Sequence, residues 1–119
     1  MRKKKVLICG ATGFIGRNLL ERFQNNEKYE IRALYYKSPA PKGFKNAKVS
    51  GKNNVHWIHA NLTLTKDVKR VMNGIDIVLQ YAATTTGAAD IVSKPYIHVT
   101  DNAVMNSLLL REAFEQRVE

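Results

Sequence analysis

Val6-Leu7-Ile8-Cys9-Gly10-Ala11-Thr12-Gly13-Phe14-Ile15-Gly16 is the stretch on which the rest of the chain hangs. Val6 to Cys9 is apolar without alternation, as in a parallel strand covered on both faces. Three glycines follow at a spacing of three. The first lets the chain turn sharply off the strand. The second, with no Cβ, lets the backbone come close to a ligand. The third lets the next helix pack tightly. A helix that starts here points free amides and the positive end of its dipole outward, an arrangement that fits a pyrophosphate.

Working outward, Phe14 to Asn26 predicts a first helix, with Ile15, Leu19 and Phe23 on one stripe, widened by Leu20. Tyr29 to Tyr36 predicts a second strand, so strand, helix and strand make a right-handed parallel crossover. Ser38 to Asn54, with Pro39, Pro41, Gly43 and Gly51 among lysines, predicts a surface loop. Val55 to Leu62 predicts a third strand. His56 and His59, three apart on it, point to opposite faces and cannot share a metal. Thr63 to Asn73 predicts a short helix with Thr65 as N-cap, Asp67 in the first turn, and Gly74 as its stop. Ile75 to Ala83 predicts a fourth parallel strand, followed by a loop of small residues, Thr84 to Asp90. In open parallel sheets a ligand sits at this carboxyl end. Pro95 to Val118 holds the last helix, with Asp101 as candidate N-cap and Val104, Met105, Leu108, Leu109 and Phe114 as a broad apolar stripe.

Gly10-Ala11-Thr12-Gly13-Phe14-Ile15-Gly16 resembles the nucleotide loop of the extended short-chain dehydrogenase/reductases, a family of sugar-nucleotide epimerases, dehydratases and reductases. Three later landmarks are similar to the family's. Asn61-Leu62 stands where the family ends a strand in an acid-Leu pair that binds the adenine amino group, and an amide oxygen can also accept from adenine. Tyr81-Ala82-Ala83 stands at the small-residue strand end that the dinucleotide approaches. Asn102 and Leu108-Leu109-Leu110-Arg111-Glu112-Ala113 match a helix that begins with the family's structural asparagine. The loop at Thr84 resembles that of fucose-synthase-like reductases, which puts Thr84 at the nicotinamide-side ribose. The resemblance therefore implies cofactor contacts at Gly10, Thr12, Gly13, Phe14, Ile15, Gly16, Asn61, Leu62, Ala82, Ala83, Thr84 and Asn102. The fold implied is α/β, a Rossmann-like doubly wound parallel sheet with strand order 3-2-1-4.

The choice of cofactor rests on the residues themselves. An acid at the end of the second strand favours NAD, and a base accommodates the 2′-phosphate of NADP. No Asp or Glu occurs from Ile31 to Lys66, while Arg32, Lys37, Lys42, Lys45, Lys48, Lys52 and Lys66 fall there. Tyr36-Lys37 at the strand end points to NADP rather than NAD.

The family's chemistry uses a Tyr and a Lys four apart. The five tyrosines are followed at that distance by Ala33, Pro39, Ala40, Thr85 and Thr100. The chain of 119 residues thus reads as the N-terminal part of a longer NAD(P)-binding domain, inactive by itself, with the catalytic and sugar-nucleotide-binding parts elsewhere. An unpaired edge on the fourth strand predicts self-association.

Two rival functions follow from the same residues. One is a dinucleotide-binding sensor without catalysis. The other is a basic RNA-binding module, since the net charge is +9. The lysines lack the aromatic interleaving of stacking modules, which argues against nucleic acid. Cys9 is the one cysteine, so no internal disulfide forms and a reducing, cytoplasmic setting fits. No apolar run is long enough to span a bilayer.

Overall fold

The computed structural model describes residues 3–24, 26–37, 54–82 and 95–118, with side chains in the last segment from residue 102 onward. The chain runs β1 (Lys4–Cys9), α1 (Phe14–Phe23), β2 (Tyr29–Tyr35), β3 (Val55–His59), α2 (Thr65–Met72), β4 (Ile77–Gln80) and α3 (Pro95–Glu115). The four strands form one parallel sheet in the order β3-β2-β1-β4, as the sequence predicts.

β1 and β2 are the two interior strands, each paired on both sides, and Val6 to Cys9 of β1 are fully buried. The register of β1 sets Val6 beside Ile31 and Ile77, and Ile8 beside Ala33 and Leu79. Strand side chains alternate, so β1 feeds two cores. Val6 and Ile8 join Ala11, Leu20, Ile31 and Ala33 on the α1 face. Leu7 and Cys9 join Leu34, Val68, Val71, Met72, Met105 and Leu109 on the α2 and α3 face. Burying each of the larger side chains contributes about 1.5–3 kcal/mol. Burial also pushes the Cys9 thiol up to about 12, so it is neutral at physiological pH and acts as a small core residue.

Several boundaries differ from the sequence reading. α1 ends at Phe23 rather than Asn26, and Ile15 is 54% exposed, because the turn of Gly16 and Leu20 faces the sheet. Thr65 is the first residue of α2 and not its cap; Leu64 holds the cap position without a side-chain hydrogen bond. Asp67, in the first turn, instead ties the helix back to the end of β3 by accepting the Asn61 backbone N–H at 2.9 Å. α3 begins at Pro95, so Asp101 is inside the helix and not at its N-cap. Proline suits a first helical position, where its missing N–H costs nothing. Asn102 accordingly lies about two turns in. The buried stripe of α3 is Met105, Leu109 and Glu112; Val104 and Phe114 are exposed. β4 is shorter than predicted. Before it, Asp76 clasps Lys5, giving its N–H to the Lys5 carbonyl (2.9 Å) and accepting the Lys5 N–H on its carboxylate (2.8 Å).

Asn54, placed by sequence in the surface loop, is buried. Its Nδ2 donates to the carbonyls of Phe23, Asn26 and Tyr29, at 3.1, 3.2 and 3.2 Å. This stitches the end of α1 to the start of β2. The rest of that loop and the Thr84 to Asp90 loop lie outside the described residues.

Candidate dinucleotide site

The parallel register brings the carboxyl ends of all four strands to one edge of the sheet. β1 ends at Gly10, which has φ +78°, a conformation that favours glycine. A Cβ on Gly10 would also lie 2.5 Å from the Tyr81 carbonyl oxygen at the end of β4. A Cβ on Gly16 would overlap the Gly10 carbonyl, so the third glycine lets α1 seat on the turn itself. Gly13 is different. Its backbone is ordinary (φ −79°), and a Cβ there would come no nearer than 3.4 Å to the Gly10 oxygen. Neither strain nor crowding by the protein calls for glycine at that position.

Gly13 gives its N–H to the Gly10 carbonyl at 3.0 Å, so that amide is spent within the turn. Arg17 closes the first helical bond, to Gly13 at 2.9 Å. The amides between them, on Phe14, Ile15 and Gly16, find no acceptor among the described residues. This follows from helix geometry, which leaves the first amides unpaired. No acidic residue lies in the first turn to compete for them. Phe14 and Ile15 are exposed and Thr12 is half-buried beside them.

Just past the end of β2, Tyr36 and Lys37 are exposed, on the strand that runs parallel beside β1. Arg32 is not part of this edge: its guanidinium donates to the carbonyls of Val71 and Asn73, at 2.5 and 2.9 Å, and so closes the end of α2. Past the end of β3, Asn61 is half-buried, and both acceptor positions of its side-chain oxygen are used. Its Oδ1 accepts from the Thr63 N–H (3.0 Å) and Oγ1 (2.6 Å), and its Nδ2 donates to the Tyr36 hydroxyl (3.2 Å). Leu62 is 6% exposed and packs in the core with Val68 and Val71. The Asn61 N–H holds the Asp67 carboxyl below the usual carboxylate range, helped by Arg70.

At the end of β4, Tyr81 extends the ladder, with its N–H on the Cys9 carbonyl (3.0 Å). Ala82 is held at both backbone groups by one side chain. Gln80 accepts its N–H at 3.0 Å and donates to its carbonyl at 3.2 Å. The same Nε2 donates to Asn106 Oδ1 of α3 at 3.1 Å. By sequence Gln80 is only a departure from the family's histidine and Asn106 has no role, because an amide clasp onto local backbone leaves no spacing pattern. Ala83 and Thr84 lie outside the described residues. Asn102 is half-buried on α3, one turn before Asn106.

Residues 6–119 match the model of the NAD dependent epimerase/dehydratase family. The chain belongs to that family. Solved structures agree on the fold. Pen from Bacillus thuringiensis is 24% identical with a TM-score of 0.80, over 98% of this chain and 36% of that one. UDP-glucose 4-epimerase from Bifidobacterium longum, solved with NAD+ and UDP, is 22% identical with a TM-score of 0.80, over 98% and 35%. ElxO, solved with NADPH bound, is 18% identical with a TM-score of 0.72, over 97% and 50%. This epimerase/dehydratase family chain thus spans about a third of the length of the first two. Among the described residues no helix is long and apolar enough to cross a membrane, and no cluster of His, Cys, Asp or Glu could hold a metal ion.

Proposed function

We propose that the chain binds a nicotinamide dinucleotide across the carboxyl edge of the sheet. Its pyrophosphate lies on the Phe14, Ile15 and Gly16 amides, and its adenosine end lies toward Tyr36 and Lys37. The observation that carries this reading is the set of unspent amides at an α1 N-terminus free of acidic residues. The family match and the cofactors named for the UDP-glucose 4-epimerase and ElxO structures support it. Gly10, Thr12 and Gly13 shape the cradle. Ala82 serves the nicotinamide half, and Ala83, Thr84 and Asn102 are the further contacts that the family resemblance assigns to it. Leu62 contributes backbone only. Tyr36 and Lys37 favour NADP over NAD, since a base fits the 2′-phosphate and no acid stands at the end of β2.

The whole protein acts on a nucleotide-sugar, as an epimerase, dehydratase or reductase, in the cytoplasm. This chain is the N-terminal part of its dinucleotide-binding domain. It has no Tyr-x-x-x-Lys pair and turns over no substrate by itself. It self-associates through the outer edge of β4.

Titration of the protein with NADP and with NAD, followed by Trp57 fluorescence, tests the reading. Saturable binding is expected, and Gly13→Ala should abolish it while the melting temperature holds. Binding that survives Gly13→Ala, or no binding by the wild type, overturns it. A steep loss of RNA binding with salt, without competition by dinucleotide, would favour the RNA-binding rival instead.

A further inference from the structure

Asn61 has no lone pair to offer an adenine. Both acceptor positions of its Oδ1 are taken by Thr63, and its backbone N–H is taken by Asp67. What its side chain does reach is Tyr36, 25 residues away in sequence and at the end of the neighbouring strand. There Nδ2 donates, and the Tyr36 hydroxyl oxygen accepts. That leaves the tyrosine O–H hydrogen free to donate outward. The Tyr36 ring rests on the His59 ring at a centroid distance of 5.5 Å and still keeps 47% of its surface exposed, beside Lys37.

We propose that Asn61 is a positioning residue and that Tyr36 is the group it positions: held by Asn61 and His59, the Tyr36 hydroxyl donates to a phosphate at the ribose 2′ position and so selects NADP over NAD. This rests on the dinucleotide reading above. The direction of the Asn61–Tyr36 bond decides the chemistry. An amide donor at position 61 turns the tyrosine into an outward donor, suited to a phosphate oxygen. A carboxylate at position 61 could only accept. It would draw the Tyr36 O–H hydrogen inward and add negative charge beside the phosphate. One side chain that never touches the ligand would then set the sign of the preference.

The test measures dissociation constants for NADP and NAD by calorimetry on the whole chain, for wild type, Tyr36→Phe and Asn61→Asp. Both substitutions are close in shape and lie at exposed or half-buried positions, and melting temperatures confirm folding. Wild type is expected to prefer NADP. Tyr36→Phe should weaken NADP about tenfold, the usual loss for a hydrogen bond to a charged group, and leave NAD within about twofold. Asn61→Asp should lower the NADP-to-NAD preference about tenfold without abolishing NAD binding. A preference that stays within about twofold of wild type in either variant overturns this inference alone. A wild type that binds neither dinucleotide overturns the glycine-loop reading, and this inference with it.

Discussion

The three glycines of the turn look equivalent in sequence, yet each answers a different demand. Gly16 is required by the protein: any side chain would displace the Gly10 carbonyl, which is backbone and cannot move aside. Gly16→Ala is therefore expected to cost about 2 kcal/mol or more and to abolish dinucleotide binding, as chemical denaturation and titration would show. Gly13→Ala should cost less than about 1 kcal/mol, since its backbone is ordinary and its surroundings are open. The contrast between the two variants separates packing from ligand approach. Asp67 is a titrating tie between β3 and α2. Its carboxyl is held low first by the Asn61 N–H and then by Arg70. A group whose folded pKa is depressed stabilises the fold above its ordinary value of 3.8 and loses that contribution as pH falls through the lowered one. Asp67→Asn is thus expected to lower the melting temperature at neutral pH. The gap to wild type should close as pH drops below the ordinary aspartate range.

At the scale of elements, α2 shows how the ends of a helix are finished by distant residues. Its first turn is anchored by Asp67 reaching back to Asn61, and its last turn by Arg32 reaching across from β2. Arg32 had counted, by sequence, among the bases near a 2′-phosphate. In the fold it belongs to the opposite end of α2. Arg32→Met should cost about 1–2 kcal/mol of stability and leave dinucleotide affinity unchanged, because the lost bonds are charge-assisted caps. Glu112 sets α3 against α2. Glu112 is 3% exposed, and its Oε1 lies 3.7 Å from the exposed Lys69 ammonium. Lys69→Ala is expected to cost no more than about 1 kcal/mol, since water screens the lysine side of the pair. The strands and helices themselves were legible in the sequence, because continuous apolar runs and i, i+4 stripes reflect burial directly. Their ends were not. Thr65 and Asp101 have the chemistry of caps, but the cap positions went elsewhere because Asn61 and Pro95 settled the local backbone.

Across the whole molecule, β1 is buried from Val6 to Cys9 and β4 is only half-buried along its length. Among the described residues β4 pairs with β1 alone and lies at the edge of the sheet, where a strand's outer N–H and C=O groups are open to pairing. On α3, Leu110 and Phe114 are exposed by 71% and 86%. Sedimentation is expected to show dimers or larger species at micromolar concentration, and a monomer at every concentration would refute self-association through this edge. The topology also explains how the candidate site is assembled. Gly10, Tyr36, Asn61 and Ala82 lie far apart in the chain, and parallel register alone carries them to one edge. The sequence by itself determined the strands, the helices and the glycine turn, because hydrophobic period and glycine spacing are local signals, while the strand order followed from the family that the glycine loop resembles. Only the tertiary structure decided that Arg32 caps a helix, that Asn54 stitches α1 to β2, that Gln80 clasps Ala82, and that Asn61 holds Tyr36. The physical reason is common to all four. Each is a hydrogen bond whose partner is chosen by which backbone or hydroxyl the fold brings within about 3 Å, and residue type says only that a bond can be made.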